Sequence, residues 1–348
     1  MKISQQITGQ VDGKDVFLFE LRNPRQTVVK ITNVGATITS IQTVDRSDVP
    51  GEIALGFDDP LYYLSDVYQG DCPYLGATVG RYANRIKHGK FSIGGVDYQL
   101  EINNGNNHLH GGVRSFNTKI WDCEPFEEVG RVGVKMSYLS HHMENGYPGN
   151  LKVEVTFTLT QENELVIDYA ASTDQATHVN LTNHSYFNLK GDGSKVLDHN
   201  LVLYANYFTP KDDEGIPTGQ IVQVNDSPLD FRMPRKIGER IGEFADGYDH
   251  NFVVNGLVGE LRPAARAWED TTGRTLDFFT TEPGFQLYTG HYLSGQHSRN
   301  GIAFSQYTGF CLEAQHYPNS PNVEAFPSTL LNPGDVYSQT SVYKFGVM

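Results

Sequence analysis

Apolar and polar residues alternate along much of this chain with a period of two. Over residues 151–159 the odd-numbered positions are all apolar, and the even-numbered positions are lysine, glutamate and two threonines. The alternation resumes over residues 165–169, after the polar stretch 161–163. Because this period is typical of a half-buried β-strand, the two segments predict a β-hairpin.

Similar alternation predicts further strands over residues 28–44, interrupted at Gly35, and over residues 91–100, 132–139, 201–208, 276–281 and 338–345. Helical periodicity is nearly absent, and one short candidate, residues 235–244, follows Pro234 and predicts at most two turns. Many strands without intervening helices indicate an all-β protein with a large antiparallel β-sandwich. No linker, repeat or low-complexity stretch divides the chain, so we expect residues 1–348 to form a single domain.

The composition narrows the partners and the compartment. With 27 basic and 41 acidic residues, the 348-residue chain carries a net charge of −14, which repels nucleic acid. It contains no run of 18 apolar residues and begins with a polar segment, so we expect neither export nor a membrane partner. The three cysteines, Cys72, Cys123 and Cys311, are odd in number and widely spaced. We therefore expect a reducing, cytoplasmic environment.

Several segments interrupt the alternation with polar residues that a sheet core would not select. Taken alone, a histidine such as His184 in an aromatic-rich segment is most often a hydrogen-bonded core residue, and a strand glutamate such as Glu313 most often faces solvent. Five such segments together indicate a polar site. They are GRYANRI (80–86), NNHLHGG (106–112), NLTNHSYFNL (180–189), GYDHNF (247–252) and CLEAQHY (311–317).

In order and approximate spacing, these segments resemble the signature blocks of the galactose mutarotase (aldose 1-epimerase) family. Further matches are NVGATI (33–38), YPGN (147–150), DEGIP (213–217) and LNPGD (331–335), so the resemblance covers almost the whole chain. It implies the large β-sandwich (supersandwich) of that family, with few short helices. Ala314 departs locally from the pattern that we expect after the catalytic glutamate.

The resemblance also implies an activity and a set of site residues. The implied reaction interconverts the α and β anomers of a free hexose such as galactose or glucose, by a monomer or a homodimer, without cofactor or metal. Opening the ring requires a base at the C1 hydroxyl and an acid at the ring oxygen. The implied catalytic residues are Glu313 as base, His184 as acid and His110 as a second histidine, and the implied substrate-binding residues are Asn84, Arg85, Asp249 and Gln286.

Three other functions remain open at this stage. A hexose-6-phosphate 1-epimerase would need a cationic cluster near C6, for which Arg81, Arg85 and Lys87 are few. A non-catalytic sugar-binding protein on the same fold would be free to lose the acid–base pair, whereas both members are present. A glycoside hydrolase needs two carboxylates flanking the scissile bond, and here Glu313 is accompanied only by Asp249.

A metal site is an alternative interpretation of the histidine pair His108 and His110. No third ligand lies at a short metal-site spacing, and the two glycines that follow suit close approach of the backbone to a ligand. We therefore expect no metal.

The remaining charged residues are expected to be peripheral. Arg81 and Lys87 would be surface charges or members of structural ion pairs, and the other histidines would lie in loops or at the surface. We also expect a neighbouring carboxylate to raise the pKa of His184. The histidines expected in loops or at the surface are His141, His142, His250, His291 and His297.

Overall fold

Thirty mostly short strands make up most of the regular secondary structure in a computed structural model that describes residues 1–348. The strands are β1 (Lys2–Val11), β2 (Lys14–Arg22), β3 (Val28–Thr32), β4 (Thr37–Val44), β5 (Pro50–Glu52), β6 (Thr78–Val79), β7 (Arg85–Ile86), β8 (Lys90–Ile93), β9 (Val96–Gln99), β10 (His108–Leu109), β11 (Asp122–Glu128), β12 (Arg131–Ser140), β13 (Leu151–Thr160), β14 (Glu164–Thr173), β15 (Thr177–His178), β16 (Thr182–Asn183), β17 (Tyr186–Phe187), β18 (Asn200–Leu203), β19 (Tyr207–Thr209), β20 (Val222–Gln223), β21 (Arg235–Lys236), β22 (Asp249–Val253), β23 (Arg262–Trp268), β24 (Arg274–Thr280), β25 (Gly284–Tyr288), β26 (Ser294–Arg299), β27 (Ile302–Ser305), β28 (Phe310–Gln315), β29 (Leu330–Leu331) and β30 (Tyr337–Val347).

Helical structure is confined to one short α-helix, α1 (Asp66–Gly70), and eight 3-10 segments. None of the helices is long and apolar enough to span a membrane. The 3-10 segments are Pro60–Leu64, Lys87–Gly89, Phe116–Thr118, Glu144–Gly146, Val196–Asp198, Ile237–Glu239, Ile241–Glu243 and Ser320–Asn322.

The predicted hairpin is confirmed as β13 and β14, which pair antiparallel from Leu151 opposite Thr173 to Leu159 opposite Leu165. All five apolar residues of β13 are at most 1% exposed, as the alternation requires. The hairpin lies within a nine-stranded antiparallel sheet of order β11-β12-β13-β14-β30-β24-β23-β18-β21.

Two further sheets complete the sandwich. One has five strands in the order β1-β2-β3-β4-β5, and the other has six in the order β17-β28-β25-β22-β19-β20. A single cluster of 52 buried apolar residues takes side chains from all three sheets, for example Phe19 of β2, Val155 of β13 and Leu312 of β28. This shared core confirms the all-β sandwich that the alternation predicted.

Three sequence-based predictions need correction. Residues 91–100 form not one strand but the hairpin β8–β9, because Gly94 and Gly95 adopt positive φ angles of 59° and 81° that permit a tight turn. Residues 201–208 are also divided, since β18 belongs to the nine-stranded sheet and β19 to the six-stranded sheet. The helix candidate 235–244 consists of a two-residue strand and two separate 3-10 turns.

Candidate active site

The six-stranded sheet brings three of the predicted residues onto one face. In β22, β25 and β28, Gln286 lies opposite Asn251 on one side and opposite Glu313 on the other. Asp249 is two residues from Asn251 and therefore points to the same side of the sheet. The alternate residues Phe285 and Leu312 point the other way, into the main core. Alternation along three neighbouring strands thus separates the polar site from the core, and it places Phe285 where it cannot stack on a sugar.

His184 lies above this face, in the short connection between β16 and β17. Its backbone N–H donates to the carbonyl of Ala77, and its carbonyl accepts from Gly76 N–H, both at 2.9 Å. The imidazole lies between two tyrosine rings that are each inclined to it by 21°, with centroids 5.0 Å away for Tyr186 and 6.1 Å away for Tyr74. Ring and backbone contacts together fix its orientation.

His184 and Glu313 form a buried pair. The distance from His184 Nε2 to Glu313 Oε2 is 3.5 Å, and the two side chains are only 6% and 3% exposed. Glu313 Oε2 has no hydrogen-bond partner, although it is fully buried. Behind the imidazole, the Sγ atom of Cys311 lies 3.6 Å from Nδ1. A buried, unpartnered carboxylate oxygen is rare in folded proteins and is typical of a functional group.

Burial favours the neutral form of each member of this pair. It raises the pKa of Glu313 well above its ordinary value, and the nearby charge of Asp249 raises it further. Burial lowers the pKa of His184 to about 4, against a smaller raising effect of Asp249. Asp249 therefore acts in the direction expected of a carboxylate, but the prediction of a raised pKa for His184 is wrong, because desolvation outweighs the attraction.

His110 and Asn84 hold one another at the edge of the site. The backbone N–H of Asn84 donates to His110 Nδ1, and the backbone N–H of His110 donates to the Asn84 carbonyl, both at 3.1 Å. Both residues have positive φ angles, 62° for Asn84 and 51° for His110. Since Nδ1 accepts a hydrogen bond, the proton of the neutral imidazole lies on Nε2. Burial and the neighbouring His184 charge lower the pKa of His110 well below its ordinary value, so it is a neutral donor.

The glycines after His110 have a role different from the expected one. A Cβ atom on Gly111 would overlap the carbonyl of Gly80, so this glycine allows two protein segments to approach one another rather than a ligand. Gly112 faces the side chains of Asn145 and Glu101.

The side chains that lie close enough together to bind a metal are not the pair His108 and His110 that the sequence suggested. Ligand atoms of His110, His184 and Glu313 lie within 4.8 Å of one another. His108, by contrast, is fully buried, with Nδ1 2.7 Å from the Glu101 carbonyl and Nε2 2.8 Å from the Tyr147 hydroxyl, so neither nitrogen is free. In the first set, His110 is poorly suited as a ligand, because its Nδ1 is occupied and its Nε2 carries the proton.

Asp249 is the ionised carboxylate of the site. Burial alone would raise its pKa, but the charges of Lys211 and Arg85 and a hydrogen bond from Gln286 outweigh burial and lower the pKa to about 2. The hydrogen bond from Gln286 Nε2 to Asp249 Oδ1 is 2.6 Å long, and Lys211 Nζ lies 3.6 Å from Oδ2. The guanidinium of Arg85 is held in turn by Asn104 Oδ1, which accepts from Nε at 3.2 Å.

These groups line one cleft of about 1210 Å³. Of the seven residues expected at the site, Gln286 alone does not line the cleft; it lies behind Asp249, 4% exposed. The six that line it are Glu313, His184, His110, Asn84, Arg85 and Asp249.

Sequence reasoning missed Tyr74, Tyr186 and Lys211, which also line the cleft. Tyr186 stands in the same segment as His184, which is a signal that could have identified it. Lys211 lies two residues before the matched segment DEGIP (213–217), and Tyr74 stands in a segment without any distinguishing pattern.

Several peripheral expectations are wrong. Arg81 is 2% exposed and has no carboxylate partner; its guanidinium donates instead to the carbonyls of Pro148 and Gly149 and to the Ser140 hydroxyl. His250 and His297 are 6% and 3% exposed rather than at the surface. Three expectations are confirmed: Lys87 and the pair His141–His142 face solvent, and His291 lies in the loop between β25 and β26.

The antiparallel sandwich thus carries a buried histidine–carboxylate pair in a polar cleft. A family model described as aldose 1-epimerase matches residues 18–344. The chain is 43% identical to the galactose mutarotase of Bos taurus over 332 residues, which cover 94% of each protein. It therefore belongs to the aldose 1-epimerase family.

Solved structures agree with this assignment. An aldose epimerase homologue from C. elegans superposes with a TM-score of 0.85 at 30% identity, covering 94% of this chain and 98% of that one. A galactose 1-epimerase from Lactobacillus acidophilus superposes with a TM-score of 0.84 at 29% identity, covering 99% of each chain. The galactose mutarotase type of sandwich that the resemblance implied is thereby confirmed.

Proposed function

We propose that this protein is an aldose 1-epimerase that interconverts the α and β anomers of free hexoses such as D-galactose and D-glucose. The observation that carries the proposal is the buried pair of His184 Nε2 and Glu313 Oε2, 3.5 Å apart on the wall of a polar cleft. Sugar ring opening requires one group that removes a proton and a second that supplies one, and this pair provides both.

In this mechanism each member of the pair exchanges one proton with the sugar, so the pair as a whole neither gains nor loses a proton. Ionised Glu313 takes the proton from the C1 hydroxyl while protonated His184 gives its Nε2 proton to the ring oxygen, and the C1–ring oxygen bond breaks. The aldehyde then turns about the C1–C2 bond. For closure, His184 takes the proton back as the ring oxygen attacks the other carbonyl face, and Glu313 returns its proton to O1. The pair ends in its starting state.

The raised pKa of Glu313 and the lowered pKa of His184 suit such a cycle. Ionised glutamate with imidazolium, and protonated glutamate with neutral imidazole, contain the same number of protons and the same net charge. Interconverting them requires no proton from solvent, and the burial that disfavours separated charges brings the two forms closer in energy. Each positioned proton transfer contributes roughly 10²–10⁴-fold to the rate.

The other polar residues of the cleft bind the sugar hydroxyls. Neutral His110 donates from Nε2, Arg85 donates from its guanidinium, and ionised Asp249 accepts. The side-chain amide of Asn84 is oriented by the backbone, since its Oδ1 accepts a hydrogen bond of 2.9 Å from the backbone N–H of Arg85. The amide of Gln286 serves to orient Asp249, to which it donates.

A phosphorylated hexose suits this cleft poorly. Besides Arg85, the cleft contains the cation Lys211, and the ammonium of Lys211 already faces two carboxylates, Asp246 at 3.0 Å and Asp249 at 3.6 Å. A phosphate placed here would meet two negative charges as well as the ammonium, so the local field favours a neutral substrate.

A glycoside hydrolase is disfavoured by the state of the second carboxylate. One raised and one lowered carboxyl pKa, as at Glu313 and Asp249, is a pattern that glycosidases also use. However, the pairing of Oδ2 with Lys211 and the hydrogen bond from Gln286 to Oδ1 lower the pKa of Asp249 to about 2, which makes this carboxylate a weak nucleophile and base, while each oxygen keeps a lone pair for a sugar hydroxyl. A non-catalytic binding role does not require the unpartnered oxygen of Glu313.

Polarimetry tests the proposal. The optical rotation of freshly dissolved α-D-galactose and α-D-glucose should relax much faster with the protein than in buffer alone, and hexose 6-phosphates and chromogenic glycosides should react poorly or not at all. Relaxation at the buffer rate for every free aldose would contradict the assignment. Preferred action on the 6-phosphate would favour the phosphosugar branch.

We also propose a cytoplasmic protein of one domain that acts as a monomer or a homodimer. Three unpaired cysteines support a reducing compartment, and the shared core of 52 residues, which extends from Phe19 to Phe345, supports one domain. Light scattering of the purified protein would measure the number of subunits.

A further inference from the structure

Lys211 lies in the cleft, two residues before the matched segment DEGIP (213–217). Its ammonium group is 3.0 Å from Asp246 Oδ2 and 3.6 Å from Asp249 Oδ2, and its side chain is only 17% exposed. Most lysine–carboxylate pairs are solvated and contribute little, but this one faces a carboxylate that is itself 13% exposed. An interaction at this depth is screened less by water and salt.

The backbone around Lys211 is held in place. The Asp212 side chain accepts from the N–H groups of Glu214 and Ile216 at 3.0 and 2.9 Å, which closes a tight turn. The Glu214 carboxylate accepts hydrogen bonds of 2.8 Å from the side-chain amides of Asn106 and Asn107, across the mouth of the cleft. Lys211 therefore extends from a fixed turn, and Asp246 fixes the far end of its side chain.

Asp249 is consequently held on both of its oxygens. Gln286 donates to Oδ1 at 2.6 Å from beneath, and Lys211 pairs with Oδ2 from the side. Without Lys211, Asp249 would share a buried cleft with Glu313 and keep only one of its two restraints. The carboxylate would then be free to rotate and would repel the second acidic group.

We propose that Lys211 is a positioning residue that holds the Asp249 carboxylate in the orientation that binds the sugar hydroxyls. This inference rests on the proposed function, because it assumes that Asp249 accepts from the substrate. Lys211 itself acts through Asp249. Its effect therefore belongs to substrate binding rather than to the proton transfers of Glu313 and His184.

Steady-state mutarotation kinetics of Lys211→Met test this role. KM for galactose should rise on the order of 10-fold, as expected when a binding group loses its alignment, while kcat stays within about 2-fold. Lys211→Arg restores the cation and should recover most of the affinity. The matched control is Lys344→Met, which removes a lysine paired with Glu164 at 2.9 Å on β30 and should leave both constants unchanged.

A double-mutant cycle separates positioning from direct contact. Asp249→Asn should raise KM, and adding Lys211→Met to it should cause little further loss, because the carboxylate on which the lysine acts is gone. Multiplying effects, or an unchanged KM in Lys211→Met alone, would overturn the inference. If Lys211→Met proves unfolded in a melting curve, Lys211→Gln replaces it in the same cycle.

The two proposals fail in different ways. If the unaltered protein does not accelerate mutarotation of any free hexose, the proposed function is wrong. If the unaltered protein is active but the cycle shows no coupling between Lys211 and Asp249, only the positioning role is wrong.

Discussion

Replacing Glu313 by glutamine changes one atom of the side chain and removes its ability to accept a proton. The residue is 2% exposed and lies on β28 opposite Gln286, so the amide fits the same space. Oε2 makes no hydrogen bond to the protein, and His184 Nε2 lies 3.5 Å away. The substitution therefore tests the chemistry of this pair with little disturbance of packing.

The expected loss of kcat lies within the range typical of a positioned proton transfer. Ring opening and ring closure each need both members, because the proton that Glu313 gains is matched by the one that His184 gives. Removing one partner should thus cost about 10³-fold, which corresponds to about 4 kcal/mol in the barrier. His184→Asn should cost a similar factor, and the double variant should be scarcely slower than either, as for residues that act as a unit.

Stability should change in the opposite direction from activity. The folded protein raises the pKa of Glu313, so the folded state binds this proton more tightly than the unfolded chain does. As the pH rises through the unfolded and then the folded pKa, the buried carboxylate progressively destabilises the fold. At neutral pH, Glu313→Gln removes this cost, and its unfolding midpoint should equal or exceed that of the unaltered protein.

Polarimetry on fresh α-D-galactose, corrected for spontaneous and buffer-catalysed mutarotation, measures the rate, and calorimetry measures the midpoint. Near-normal turnover of Glu313→Gln would refute its role as the base. Multiplicative losses in the double variant would refute the joint action of Glu313 and His184. A markedly lower midpoint would show that the carboxylate is stabilised rather than strained in the fold.

Three further predictions follow from the site and its surroundings. The mutarotation rate should be constant through neutral pH and should fall below about pH 4, where His184 gains a proton while Glu313 keeps its own. On the basic side, the rate should fall only at a pH above the ordinary carboxyl range, where Glu313 loses its proton. A fall in rate that begins near pH 6 on the acid side would contradict this prediction. Dialysis against a strong chelator should leave the rate unchanged, because His110 Nε2 carries a proton, and restoration of lost activity by zinc would contradict that reasoning. Arg81→Met should reduce the free energy of unfolding by about 3 kcal/mol or more in urea titrations, since it strands buried carbonyls, and Lys87→Met is the exposed control.

Much of the β-structure could be predicted from the chain alone. The alternation over residues 151–169 determines the register in which β13 pairs with β14, because a shift by one residue would turn five apolar side chains to the solvent face. The polar segments around His184 and Glu313 could be recognised because they interrupt that alternation, and their resemblance to a known family suggested their roles. Predictions failed where local pattern was insufficient, as at residues 201–208, where the chain passes from one sheet to another.

Tertiary structure alone decided the electrostatics of the site. Whether Glu313 faces solvent or core depends on which strands flank β28, and these come from distant parts of the chain. Nothing in the sequence around Arg81 indicates that its guanidinium donates to the carbonyls of Pro148 and Gly149, more than 50 residues away. The proton on His110 depends on Asn84, and the charge of Asp249 depends on Lys211. Alternation records which face of a strand is buried, but a pKa depends on burial and on charges brought together from segments far apart in sequence, so it is fixed only when the chain folds.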